Sequence, residues 1–219
     1  MAKNLTLTYY SDILCVWAYI SQARIDEVSA RFSPEVDIDY RFCSVFGDTA
    51  DKVGTGWANR GGYEGFCKHL HEVASEFDHI KLHPDIWQQC RPVSSTPAHI
   101  LMKAVQRVDR SQSRAVLQEL RSAFFERCLD VGKWSVLKDA LDEVGVSVKD
   151  VCELIDAGIA HADLEADRRD QQNLLVQGSP TILLNEGRQK LTGNVGFRVI
   201  EANVNELLCS KAAGEASWC

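Results

Sequence analysis

Alternation of apolar and polar residues, the mark of a half-buried strand, occurs only near the two ends of this 219-residue chain. At the front, Leu5 and Leu7 alternate with Thr6 and Thr8 across Leu5–Tyr10. Val36, Ile38, Tyr40 and Phe42 do the same across residues 36–42. Between them Ile20, Ala23, Ile25, Val28 and Phe32 fall near helical spacing, and the pattern stops before Pro34. A crossover of that length joins parallel strands. Strand signals return only at Thr181–Leu184. A turn at 185–187 leads into a hairpin partner at 188–192, then a helix from Phe197 to Cys209 and a small-residue tail read as loose. The pattern is α/β, β-α-β at the front and β-β-α at the back.

More than a hundred residues separate the two parts. A glycine-rich stretch over 47–62 reads as loop, and 63–177 carries helical periodicity. Helices are expected over 63–78, 95–109, 112–130, 136–144, 148–157 and 160–176. Ser147 and Asp150 have the spacing of a capping box, and Gly178 stands where a helix-ending glycine belongs. The expected division is a discontinuous domain of residues 1–60 and 177–219, with an all-helical insertion at 61–176.

Bulk properties exclude several classes. Net charge is −7 and no Lys/Arg cluster suggests a nucleic-acid footprint. No apolar run approaches the ~18–20 residues of a membrane span. "MAKNLTLTYYSD" lacks the apolar core of a secretory signal, so a cytoplasmic location is expected. Eight cysteines, at 15, 43, 67, 90, 128, 152, 209 and 219, are then expected to be reduced and mostly packed as small hydrophobes.

Two features carry chemistry. Cys15 stands between the first strand and the first helix, where unpaired N–H groups and the positive dipole end favour an anion. A thiol so placed is expected to have a lowered pKa, and the thiolate is the nucleophile. In "QGSPTILL" Pro180 directly precedes the third strand, compatible with a cis Ser179–Pro180 bond that offers the Ser179 backbone to an extended ligand. Asp12, three residues before Cys15, is expected to be solvent-exposed. Cys43 is a conceivable distant partner for Cys15.

Other features read as structural. Cys67 and His71 share a helix face near His69, His79, His83 and Cys90, but the spacing matches no zinc motif, so no metal is expected. "DRRDQQ", residues 167–172, reads as a solvated charged face. Trp57, Tyr63, Phe66, Trp87 and Trp134 read as packing residues of the insertion. "GTGWANRGG" has no phosphate-loop spacing and reads as a flexible segment over a groove.

The cysteine at the first strand–helix junction, Gly178-Ser179-Pro180-Thr181 before the third strand, and the two flanking halves resemble the thioredoxin fold. The long helical insertion resembles its DsbA-like branch. "SDILCVWAYI", "STPAHILMKAV" and "LLVQGSPTILLN" are similar to stretches of the group of FrnE-type oxidoreductases, 2-hydroxychromene-2-carboxylate isomerases and kappa-class glutathione transferases. The resemblance spans residues 4–208. It departs at two places in the motif. Val16 replaces the proline of C-P-W-C, and Ala18 replaces the resolving cysteine. A two-thiol cycle needs that second sulfur to release product, so Ala18 disfavours a dithiol oxidase. Kappa-class transferases hold glutathione partly through a serine-aspartate pair after strand four, and here that place reads Gly193-Asn194-Val195.

The resemblance implies an enzyme with Cys15 as single catalytic nucleophile, acting in thiol-disulfide or glutathione-linked chemistry. Ser179 and Pro180 would position an extended thiol or disulfide substrate, small molecule or peptide. Val16 and Trp17 would shape the pocket, and Gly193 and Asn194 would contribute to ligand binding. No tightly bound cofactor is expected, with glutathione the candidate co-substrate. No nucleic acid or membrane partner is expected, and a homodimer is left open. The alternatives are a glutathione-dependent isomerase or transferase, and a non-catalytic peptide-binding or chaperone-like module.

Overall fold

The computed structural model describes residues 5–213, of which 210–213 are described for backbone alone. Strand β1 (Leu5–Ser11) pairs in parallel with β2 (Val36–Phe42), in register from Leu5↔Val36 to Ser11↔Phe42. Helix α1 (Val16–Phe32) makes the crossover between them. Strand β3 (Thr181–Leu184) pairs antiparallel with β1 through Thr8↔Leu183, and β4 (Gln189–Thr192) pairs antiparallel with β3. The sheet order is β2-β1-β3-β4, so the strand leading to Cys15 is internal. This is the thioredoxin fold expected from the halves.

Between β2 and β3 run α2 (Gly62–Ala74), α3 (Thr96–Val108), α4 (Ser113–Phe125), α5 (Trp134–Val144), α6 (Val148–Asp156) and α7 (Ile159–Asn173). Helix α8 (Phe197–Ala213) packs on α1, with Arg31 paired to Glu201 at 2.8 Å. Of the expected tail, residues 210–213 are helical and 214–219 lie outside the described residues.

Strand ends fall within one residue of the sequence reading, and the expected helices exist; helix ends deviate where loop geometry intervenes. Helix α2 stops at Ala74, α4 at Phe125 and α7 at Asn173, each earlier than the periodicity suggests. Gly178 therefore ends no helix; Leu175, with φ 51°, takes the left-handed turn after α7. The supposed loop at 47–62 contains a wide helical turn at Ala50–Thr55 and a tight one at Ala58–Arg60. The Ser147 hydroxyl accepts from the Asp150 N–H at 3.3 Å, as its capping spacing requires.

The 167–172 face needs correction. Asp167 is buried and ion-paired to Lys103 at 3.0 Å, and its carboxylate accepts the Phe42 N–H at 3.1 Å. Gln106 donates to the Tyr40 carbonyl at 2.7 Å. Together they satisfy the open edge of β2, which would otherwise present unpaired backbone groups. Helical spacing could not reveal this, because the partner strand lies more than a hundred residues earlier in the chain.

Candidate active site

Four residues, 12–15, carry the chain from β1 into α1. Cys15 is the helix N-cap in an extended conformation (φ −84°, ψ 115°). Its carbonyl accepts from the Ala18 and Tyr19 N–H groups at 3.1 and 3.0 Å. Its thiol donates to the Ser179 carbonyl at 3.2 Å. The Ser179–Pro180 bond is cis, and the Ser179 hydroxyl accepts the Asp12 N–H at 2.8 Å. Gly193, at φ 84°, sends its N–H to the Pro180 carbonyl at 2.8 Å. Cys15, Ser179, Pro180 and Gly193, distant in sequence, are therefore joined.

Asp12 is not solvent-exposed: its side chain is fully buried. One carboxylate oxygen accepts from Leu14 N–H at 3.0 Å. The other accepts from Val45 N–H (2.9 Å), Phe46 N–H (2.8 Å) and the Ser95 hydroxyl (2.9 Å). Its carbonyl accepts from Cys15 N–H at 3.1 Å. One residue thus fastens the Cys15 turn, the loop leaving β2, the start of α3 and the proline segment. The reason is local. A backbone that leaves a strand without yet entering a helix has free N–H groups, and a buried carboxylate satisfies several at once.

His99, on α3, completes this layer. It is buried, stacks on Phe42 with ring centroids 5.0 Å apart, and accepts the Ile13 N–H at Nε2, 3.2 Å away. Nε2 lies 3.7 Å from the Asp12 carboxylate, yet a nitrogen that accepts a proton bond carries no proton itself. Burial lowers the His99 pKa from 6.5 to about 4 against the pull of Asp12. The unfolded chain takes up this proton near pH 6.5 and the folded chain only near pH 4, so stability falls as pH drops through that window. The expected loss is about 3 kcal/mol, complete near pH 4. Urea unfolding at pH 7, 5.5 and 4 measures it, and His99→Gln should flatten the dependence across that window.

The thiol itself departs from expectation. Cys15 is buried, and burial pushes its pKa above the ordinary 9.0. The Ser179 side chain and the Ala18 and Trp17 amides act in the opposite sense, while Asp12 adds to the rise. The helix N-terminus is present as expected, but loss of water outweighs it. Cys43 packs with Tyr10, Val176 and Leu183, and both Cys15 and the Ser179 side chain act on its thiol. Burial, followed by Asp12, raises its pKa too.

The remaining candidates form a rim. Val16 is buried at the first position of α1, directly after Cys15. Trp17 is half-buried and meets Phe77 edge-on, centroids 6.4 Å apart. Arg24 lies over the Phe77 ring at 5.9 Å and donates to the Asn194 side-chain oxygen. Asn194 is thereby tied to α1 as well as following Gly193. Ala18 is fully buried, and its carbonyl accepts from the Tyr9 hydroxyl at 3.2 Å. The aromatic residues of the insertion pack as expected, Trp87 against Phe46 and Phe124 at 5.6 and 5.1 Å, whereas Trp134 is partly exposed.

Among the described residues no cluster of His, Cys, Asp or Glu has metal-binding geometry. Cys67 and His71 instead both face the Pro84 carbonyl, at 3.5 and 3.2 Å. The residues missed by sequence reasoning are Asp12 as a hub, Ser95 and His99. The one available signal was the four-residue spacing of Ser95 and His99, which puts both on one face of α3.

A family model described as a DSBA-like thioredoxin domain matches residues 6–205. The chain belongs to the DSBA-like thioredoxin domain family. Among solved structures, this DSBA-like chain is similar to a putative protein disulfide isomerase from Nitrosomonas europaea. The TM-score is 0.76 at 14% identity, covering 98% of this chain and 100% of that one. It is also similar to the cytosolic disulfide reductase DsbM from Pseudomonas aeruginosa with GSH, at TM-score 0.67 and 20% identity, covering 95% and 100%. A third, 2-hydroxychromene-2-carboxylate isomerase, gives TM-score 0.66 at 16% identity, covering 97% and 100%. No curated protein matches in sequence. Among the described residues no helix is long and apolar enough to cross a membrane.

Proposed function

We propose that this DSBA-like protein is a monothiol thiol-disulfide oxidoreductase that uses Cys15 as sole nucleophile and glutathione as the outside thiol. The observation that carries the reading is the Cys15 sulfur held against the Ser179 carbonyl at 3.2 Å, with buried Ala18 one helical turn away. A disulfide substrate lying along Ser179 and Pro180, walled by Val16 and Trp17, would meet that sulfur end-on. The Cys15 thiolate attacks one sulfur of the substrate disulfide, forms a mixed disulfide and releases the other half as a thiol. A glutathione thiolate then attacks the mixed disulfide, regenerating Cys15 and yielding a glutathione-linked disulfide. A compartment rich in reduced glutathione, the cytoplasm above all, suits this cycle.

The cycle is tested by restoring the missing sulfur. Ala18→Cys should release a glutathionyl group from Cys15 without added thiol, at least about 100-fold faster than the parent chain, by forming an internal disulfide. Mass spectrometry of pre-glutathionylated protein follows the release. An adduct equally long-lived in both proteins would remove the mechanism.

A second reading, a glutathione-dependent isomerase or transferase, is favoured by the neutral thiol that burial maintains at Cys15. A neutral donor can orient or polarise a bound ligand without attacking it. In that case Cys15→Ser binds glutathione with unchanged affinity in calorimetry and retains turnover.

A further inference from the structure

The insertion holds a second group of thiols, unrelated to the site at Cys15. Cys67 on α2, Cys90 in the turn following Trp87, and Cys128 just beyond α4 converge on residues 84–90. The Cys67 thiol donates to the Pro84 carbonyl at 3.5 Å, and the Cys128 thiol to the Asp85 carbonyl at 3.8 Å. Cys90 is anchored beside them by a bridge to Ile86. Cys90 and Cys128 thus border one turn, and each thiol is among the groups that set the other's pKa. All three are free, Cys67 and Cys90 buried and Cys128 partly exposed.

The backbone adds an independent sign. Cys128 adopts φ 57°, the left-handed conformation in which a helix-ending turn ordinarily holds glycine. The Cys128 N–H bonds to Phe124 and the Leu129 N–H to Ala123, at 3.2 and 2.8 Å, which defines that turn. A side chain at this position costs conformational energy, and here it projects a sulfur toward the Asp85 carbonyl, in the segment that leads to Cys90.

We propose that Cys90 and Cys128 form a second, reversible redox pair, oxidised by a low-molecular-weight disulfide of the glutathione type. Cys128, the more accessible, attacks glutathione disulfide as its thiolate, forming a mixed disulfide and releasing one glutathione. Cys90 then gives up its proton and attacks the Cys128 sulfur, expelling the second glutathione. Two protein thiols become one disulfide while glutathione disulfide becomes two thiols. Product release by a neighbouring thiol, which Ala18 denies to Cys15, is available here. The bond would tie the turn carrying Trp87 to the end of α4. Trp87 contacts Phe46, whose N–H is held by Asp12, and Phe125 of α4 stacks on Tyr19 of α1 at 4.7 Å. The pair thus sits on structure continuous with both sides of the Cys15 turn.

The test equilibrates the reduced full chain with glutathione buffers of increasing disulfide fraction, quenches with acid, alkylates and digests with trypsin. The expected product is residues 82–103, Arg91–Pro92 being resistant to trypsin, joined to residues 128–133, two hydrogens lighter than the separate peptides. It should form at the same buffer ratio, within twofold, in Cys15→Ser, so its appearance does not depend on the proposed function. It should persist in Cys67→Ala. Full alkylation of Cys90 and Cys128 at every ratio would overturn the proposal. So would an unresolved glutathione adduct on Cys128, or linkage through Cys67 as the main product.

Discussion

Cys15→Ser is expected to lower glutathione-dependent reduction of a small disulfide by more than about 10³-fold, because an alcohol cannot replace a thiolate as a sulfur nucleophile. Folding should be little affected: serine is smaller, and its hydroxyl can donate to the Ser179 carbonyl as the thiol does at 3.2 Å. Coupled turnover of a glutathionylated peptide reads the activity, and whole-protein mass reads the adduct. The parent chain should gain one glutathionyl group at Cys15 and the variant none there. Burial raises the Cys15 pKa above 9.0, so a small thiolate fraction exists at neutral pH. The alkylation rate should therefore climb about tenfold per pH unit from pH 7 to beyond the ordinary thiol range. A midpoint below 8.5 would mean that the thiol meets more water than the structure shows. Turnover retained by the serine variant would instead transfer the site to isomerase or binding chemistry.

Asp12→Ala should cost about 4 kcal/mol or more, a large share of the roughly 5–15 kcal/mol that stabilises a typical domain. The substitution leaves the N–H groups of Leu14, Val45 and Phe46 and the Ser95 hydroxyl facing a dry gap. Asp12→Asn should lose about half as much. Its one oxygen can keep the three donors shared by Oδ2, while its NH₂ faces the Leu14 N–H that Oδ1 had accepted. Urea midpoints rank the three proteins. Hydrogen exchange should show the loop after β2 and the start of α3 opening together, because both hang on the same carboxylate. An alanine variant as stable as the parent chain would mean that water replaces the carboxylate, and Asp12 would no longer be the hub of the site.

Asp12 also marks the limit of what the sequence made legible. An aspartate after a strand and before a helix is ordinarily a surface residue, and its partners at 45, 46 and 95 carry no local signal. His99 drew no reading from the sequence; its stacking on Phe42 and its bond from Ile13 give it a role. Asp167, read as solvated, is buried because the β2 edge needs an acceptor there. In each case helical spacing reports which face a residue occupies, and the neighbour across that face decides its chemistry. Cys15, Ser179 and Pro180 could be singled out because a cysteine between strand and helix and a proline directly before a strand are local marks, and the structure brings the three together.

What the sequence determined by itself was the order of elements and the parallel first pair. It also gave the junction that holds a thiol and the absence of a second sulfur at position 18. These follow from residue type and period, which act over a few residues. The tertiary structure decided that Cys15 meets Ser179 and that Asp12 holds four segments together. It also decided that Cys90 and Cys128 border one turn and that the Cys15 pKa rises rather than falls. Desolvation is the physical reason for the last. A helix N-terminus is written in the local chain, but the water removed from a thiol depends on everything packed above it.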